Sequence, residues 1–185
     1  MHEAPFAVDP SVASEASSPA PSPPQARRGR AVLEVALVVL LVLGVRWYQR
    51  RDLPSGDVPA VTLTSLDGTP LEIGPRPHGY VVHFFATWCG VCRAEEGNVV
   101  SLAGDHELIA IATQSGDPET VHRYVTDAGL DPAHVALDPE GVLAHRFGVQ
   151  AFPTTFYVGS DGVIRTAEVG YTTELGMRLR AWWAE

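Results

Sequence analysis

Trp88-Cys89-Gly90-Val91-Cys92 follows closely on the apolar run Tyr80-Val81-Val82-His83-Phe84-Phe85 and holds both cysteines of the chain. A Cys-x-x-Cys that opens a helix behind a buried strand sets its first sulfur among the unpaired N–H groups of the helix N-terminus. There the macrodipole favours a thiolate. Cys89 is therefore the expected attacking sulfur. Cys92, one turn further in, can close a disulfide on Cys89 and release a bound partner, which makes it the resolving sulfur. Other readings of the pair have less support. Zinc asks for four ligands, and the chain has no second Cys-x-x-Cys. A structural staple across so short a loop removes little entropy from the unfolded chain.

The 185 residues allow one domain plus extensions. All 13 basic residues are arginine, and six of them fall between positions 27 and 51. From Asp52 onward 18 acidic residues stand against seven arginines, a net charge of −11. That balance argues against nucleic-acid binding by this part.

Residues 1–26, rich in Pro, Ala and Ser, carry no apolar period and read as a disordered tail; a Pro-rich docking motif is the alternative. Residues 27–51 read as a transmembrane signal anchor. The apolar run Ala31–Val45 is interrupted only by Glu34, has arginines at both ends and is followed by Trp47-Tyr48. At about 15 residues, or 18 through Tyr48, it is short for a span, and a buried core helix is the competing reading. No small-x-small cleavage site follows, so the anchor is expected to be retained. With three arginines on each flank, charge does not set the orientation. A dithiol domain is most useful where disulfides persist, which places it outside the cytoplasmic membrane.

Residues 52–57 suit a linker, and the folded unit is expected over 58–185. Val61–Thr64 and Pro70–Ile73 read as a β-hairpin around Asp67-Gly68. Tyr80–Phe85 is too apolar for a half-exposed strand and suits the centre of a sheet covered on both faces. A helix from Val91 to about Ala103 and a strand at Leu108–Ala112 complete a βαβ unit. Asp117 and Pro118 start the next helix, which Gly129 closes. A short strand at His134–Leu137 and a short helix at Gly141–Phe147 follow. Strands Thr154–Val158 and Val163–Val169 meet at Asp161-Gly162, and Thr172 or Thr173 caps a last helix through Trp183.

This order, with Phe84-Phe85-Ala86-Thr87-Trp88-Cys89-Gly90-Val91-Cys92-Arg93 and Phe152-Pro153-Thr154-Thr155-Phe156, resembles the thioredoxin fold, an α/β fold with a central mixed sheet flanked by helices. More narrowly, residues 58–185 are similar to the membrane-anchored, outward-facing thioredoxin-like oxidoreductases of bacteria, the TlpA and ResA type. A fainter likeness, in Cys92–Asn98 and Gly176–Trp183, points to the suppressor-of-copper-sensitivity protein D group.

The resemblance implies roles. Pro153 matches the family's cis-proline, which would leave the backbone of Phe152 free to pair with a substrate strand. Glu95 matches an active-site glutamate that could take the proton of Cys92, with a merely solvated face as the other reading; Glu96 is expected to face solvent. Gly97 departs from the proline often found there. His83 occupies the strand position of a buried acid and is either a proton relay with a pKa nearer neutrality or a structural histidine. Trp88, a contact platform with a core position as its other reading, makes up the expected substrate-binding set with Phe152 and Thr154.

Partners implied are protein thiols and disulfides and a membrane electron donor, in the bacterial inner membrane through the chain's own anchor. No cofactor is expected beyond the Cys89–Cys92 disulfide. Gly90-Val91 leaves the direction of electron flow open, with a reductant role favoured. The alternative function is a Cu(I)-binding or metal-delivery module that holds the metal between soft thiolates.

Overall fold

A computed structural model describes the backbone of residues 25–50 and 56–185 and the side chains of 32–45 and 56–185. The chain divides at Leu41/Val42 into two units. Helix α1, Gln25–Arg50, carries an apolar stretch in which every described side chain is exposed. Among the described residues no helix is long and apolar enough to cross a membrane. The expected anchor, 27–51, extends past the described side chains at both ends, and the expected tail, 1–26, lies almost wholly outside the described residues.

The second unit is built on strands β1 Gly56–Asp57, β2 Val61–Thr64, β3 Pro70–Ile73, β4 Tyr80–Phe85, β5 Leu108–Thr113, β6 Val135–Asp138, β7 Thr154–Val158 and β8 Val163–Val169. Helices α2 Gly90–Ala103, α3 Pro118–Ala128, α4 Val142–Arg146 and α5 Glu174–Ala184 connect and close them. Six strands form one sheet in the order β1-β8-β7-β4-β5-β6. β4, β5 and β6 run parallel through the α2 and α3 crossovers, while β7, β8 and β1 are antiparallel.

All six residues of β4 and of β5 are buried, as an apolar run requires of strands with both faces covered. Alternation along β4 sends Val81 and Phe85 to a core shared with Val99 and Leu102 of α2, Val121 of α3 and Met177 of α5. Val82 and Phe84 go to the opposite core, with Leu71, Ile73, Leu143 and Phe147. Three helices thus cover one face, and α4 with the β2–β3 hairpin covers the other.

The helix ends follow side-chain chemistry. Asp117 accepts from Thr120 N at 2.8 Å at the start of α3, and Gly129 ends it in the left-handed region at φ 87°. Several boundaries differ from expectation by a residue or so, and three differences have a local physical reason. Gly56-Asp57, expected as linker, pairs with Ile164 and Val163 as an edge strand, so the ordered unit begins before Val58. His134 closes a 3-10 turn, Pro132–His134, rather than opening β6, because Asp131 caps that turn through Ala133 N at 2.9 Å. Gly141 precedes α4 with φ 73° instead of joining it.

Candidate active site

β4 ends against the N-terminus of α2, and the turn between them carries Trp88 and Cys89. Cys89 is the N-cap of α2, with extended backbone (φ −81°, ψ 114°). Its sulfur accepts from Cys92 N at 3.2 Å and donates to Phe152 O at 3.5 Å. Both thiols are free, and both are largely buried. Burial pushes the Cys92 thiol well up; a hydrogen bond with Cys89 and the charges of Cys89 and Glu95 add to this. The inner sulfur must therefore hand its proton to something before it can attack.

Around Cys89 the structure brings together two of the expected binding residues. Phe152–Pro153 is a cis peptide, and the Phe152 ring meets Trp88 edge to face at 5.8 Å between centroids. Trp88 is 62% exposed, which fits a contact platform better than a core position. Thr154 is fully buried instead, and its hydroxyl donates to Ala151 O at 2.7 Å. Three ties hold the Thr87–Trp88 turn to the loop after β5: Thr87 N donates to Ser115 Oγ at 3.1 Å, Thr87 Oγ1 to Ser115 O at 3.0 Å and Trp88 Nε1 to Gln114 O at 2.9 Å.

Glu95 does not lie on a solvated face. It is 0% exposed, and Oε1 accepts Thr172 N at 2.5 Å while Oε2 is buried without a hydrogen-bond partner. Burial raises its pKa to about 7, opposed by the Thr172 bond and helped by the neighbouring Glu168 charge. Glu96, expected in solvent, is half-buried and hydrogen-bonds Tyr124. It lines a hollow of about 20 Å³ with His83, Cys92 and Tyr124, room for about one water.

His83 is buried, with Nδ1 2.9 Å from Thr155 Oγ1. Burial drives its pKa down to about 4, away from the neutrality expected of a relay, because the apolar cluster penalises the imidazolium. Four residues around these groups escaped the sequence: Gln114, Tyr124, Glu168, and Arg180, whose guanidinium pairs with Glu168. Glu168 left a trace there, as an acid at a buried position of a strand. Among the described residues no group of three or more His, Cys, Asp or Glu side chains converges as a metal site.

A family model described as Redoxin matches residues 54–178. A "Thioredoxin-like protein" of Haemophilus influenzae is 26% identical over 156 residues, 83% of this chain and 92% of that one. The "Thiol:disulfide interchange protein CycY" of Rhizobium leguminosarum is 31% identical over 99 residues, 53% of each chain, so the match spans about half of that relative. A thioredoxin-family thiol:disulfide interchange protein from Chlorobium tepidum superposes with a TM-score of 0.59 at 23% identity, covering 72% of this chain and 98% of its own.

Proposed function

The chain belongs to the redoxin family, and on that premise we propose how its dithiol works and where. It is a thiol–disulfide oxidoreductase of the thioredoxin-like class. The observation that carries the mechanism is Cys89 at the N-cap of α2, its sulfur facing Cys92 N at 3.2 Å. Negative charge that forms on Cys89 meets an N–H donor and the helix dipole.

Cys89 thiolate attacks one sulfur of a substrate disulfide; that bond breaks, the other substrate sulfur leaves as thiolate, and a mixed disulfide forms. Cys92 then gives up its proton, attacks Cys89 Sγ and displaces the second substrate thiolate, leaving Cys89–Cys92 oxidised. Glu95 is the group we assign to accept that proton, since it lies one turn beyond Cys92 and titrates near neutrality. Trp88 and Phe152 would form the contact surface around the reacting sulfur, with Pro153 beside it and Thr154 supporting the turn from within.

We assign the protein a reductant role on other proteins, recharged by a membrane dithiol donor. In the same reading α1 anchors the domain to the bacterial inner membrane with the dithiol on its outer side. The apolar stretch of α1, its arginine flanks and Trp47-Tyr48 support this. The reduction potential of the full chain in detergent, equilibrated in glutathione or dithiothreitol buffers, tests the direction. A value at or below about −220 mV is expected, and one above about −180 mV would make the protein an oxidant or isomerase. Protease access to the domain in sealed spheroplasts tests the sidedness.

A further inference from the structure

His83, Thr155 and Glu168 are paired residue to residue across β4, β7 and β8, so their side chains leave the same face of the sheet. That face carries the apolar cluster to which Cys92, Tyr157 and Met177 belong. Glu168 is 2% exposed, and its Oε1 lies 2.7 Å from Nη2 of Arg180 on α5. Tyr157, two residues along β7 from Thr155, has a buried hydroxyl without a hydrogen-bond partner, as has Glu95 Oε2. Glu95 and Tyr157 both feel the Glu168 charge, and Tyr157 also feels Arg180.

An isolated acid under a helix is costly to bury, and pairing with Arg180 recovers only part of that cost. A hydrophobic residue would fill the space as well. What the acid adds is a second negative charge beside Glu95.

We propose that Glu168, anchored by Arg180, is a positioning residue that governs proton transfer from Cys92 to Glu95 during release of the substrate. This rests on Glu95 as the proton acceptor. A carboxylate of ordinary acidity is a poor base towards a buried thiol; one facing a second carboxylate in apolar surroundings holds a proton more tightly. As Cys92 Sγ attacks Cys89 Sγ, the Cys92 proton passes to Glu95, the bond between Cys89 and substrate breaks, and its electron pair leaves on the substrate sulfur. Glu95 accepts Thr172 N from the loop before α5 and interacts through charge with Cys92 on its own helix, Tyr157 on β7 and Glu168 on β8, while Arg180 on α5 acts on Glu168 and Tyr157. His83 on β4 lines the same hollow as Cys92.

The test uses the reduced full chain in detergent and 5,5′-dithiobis(2-nitrobenzoate). Attack by Cys89 releases one thionitrobenzoate and resolution by Cys92 a second, so the second phase reports proton loss from Cys92. Its rate is followed from about pH 5 to about pH 9. Glu168→Gln should move the midpoint of that rate down by about half a pH unit or more and lower the plateau several-fold. Glu168→Met, apolar and of similar volume, carries the same expectation should the glutamine variant fold poorly; Glu168→Asp should restore the original midpoint.

In a Glu95→Gln background, whose profile should be flat, Glu168→Gln should have no further effect. If Glu95→Gln flattens the profile while neither Glu168 variant moves it, the role of Glu168 is overturned and that of Glu95 stands. If Glu95→Gln leaves the profile as it was, the assignment of Glu95 falls and this inference with it.

Discussion

Trp88 donates its indole N–H to the carbonyl of Gln114 at 2.9 Å, and Gln114 is the one non-glycine among the described residues with positive φ, 49°. A left-handed glutamine costs about 1 kcal/mol, and the conformation turns its carbonyl to the indole beside the reactive sulfur. Trp88→Ala should lower kcat/KM for a protein disulfide about tenfold while leaving the rate with a small aromatic disulfide within about twofold. Gln114→Val, which resists positive φ, should reproduce part of that loss, and Gln114→Gly should not. Equal losses on both substrates would make Trp88 a structural residue only.

Cys92→Ser should accumulate mixed disulfides through Cys89, seen by mass spectrometry after acid quenching, because attack proceeds and resolution cannot. Cys89→Ser should accumulate none. Trapping through Cys92 instead would reverse the roles of the two sulfurs.

The two buried titrating groups near Cys92 act on stability with opposite signs. His83 has a folded pKa of about 4 against an ordinary 6.5, so the unfolded chain binds the extra proton and stability is lost as pH falls from about 6.5 to about 4. Glu95 has a folded pKa of about 7 against an ordinary 4.5, so the folded chain binds the extra proton and stability is lost as pH rises from about 4.5 to about 7. Their contributions largely cancel in the native protein. Urea titrations should show His83→Asn losing about 2 to 3 kcal/mol between about pH 4.5 and 7, and Glu95→Gln gaining a similar amount between about pH 4 and 6.5. Parallel curves for both variants would refute these buried protonation states. The exposed Asp67 and Asp117, held low by hydrogen bonds, titrate below this window.

Asp138 ties α4 to the loop that holds Trp88. Its carboxylate accepts Leu143 N at 3.0 Å and Ala144 N at 2.9 Å, and its carbonyl accepts Gln114 N at 3.0 Å. Asp138→Ala should cost about 2 to 3 kcal/mol in urea unfolding, since two amides of a buried helix start lose their acceptor. A cost under about 0.5 kcal/mol would show that water replaces the carboxylate.

The strands and helices of residues 58–185 were legible because their signals are local. Tyr80–Phe85 is an unbroken apolar run, and Asp117, Gly129 and Thr173 cap helices through their own short side chains or open φ. The two cysteines declared the chemistry by spacing alone. What local reading missed depends on register. Gly56-Asp57 has no strand pattern and is extended because Val163 and Ile164 offer it partners. Glu168 enters the site because β8 pairs with β7 at Thr155, and Glu95 is buried because α5 and the Thr172 loop close over α2, relations no single stretch contains. His83 was readable as a buried histidine, but the direction of its titration follows from the apolar cluster supplied by α2 and α3.

The six-stranded sheet ends on one side in β1, only two residues long and half of it aspartate. On the other, Leu66 N donates to Val135 O at 2.8 Å and Ser65 bridges Ala136, so the β2–β3 hairpin lies across β6. The hairpin shields part of the β6 border, whereas β1 pairs only with Val163 and Ile164 at the start of the seven-residue β8. In the proposed mechanism a partly unfolded client is therefore expected to present its strand at Phe152, beside the sulfur, rather than along the hairpin-covered border of the sheet.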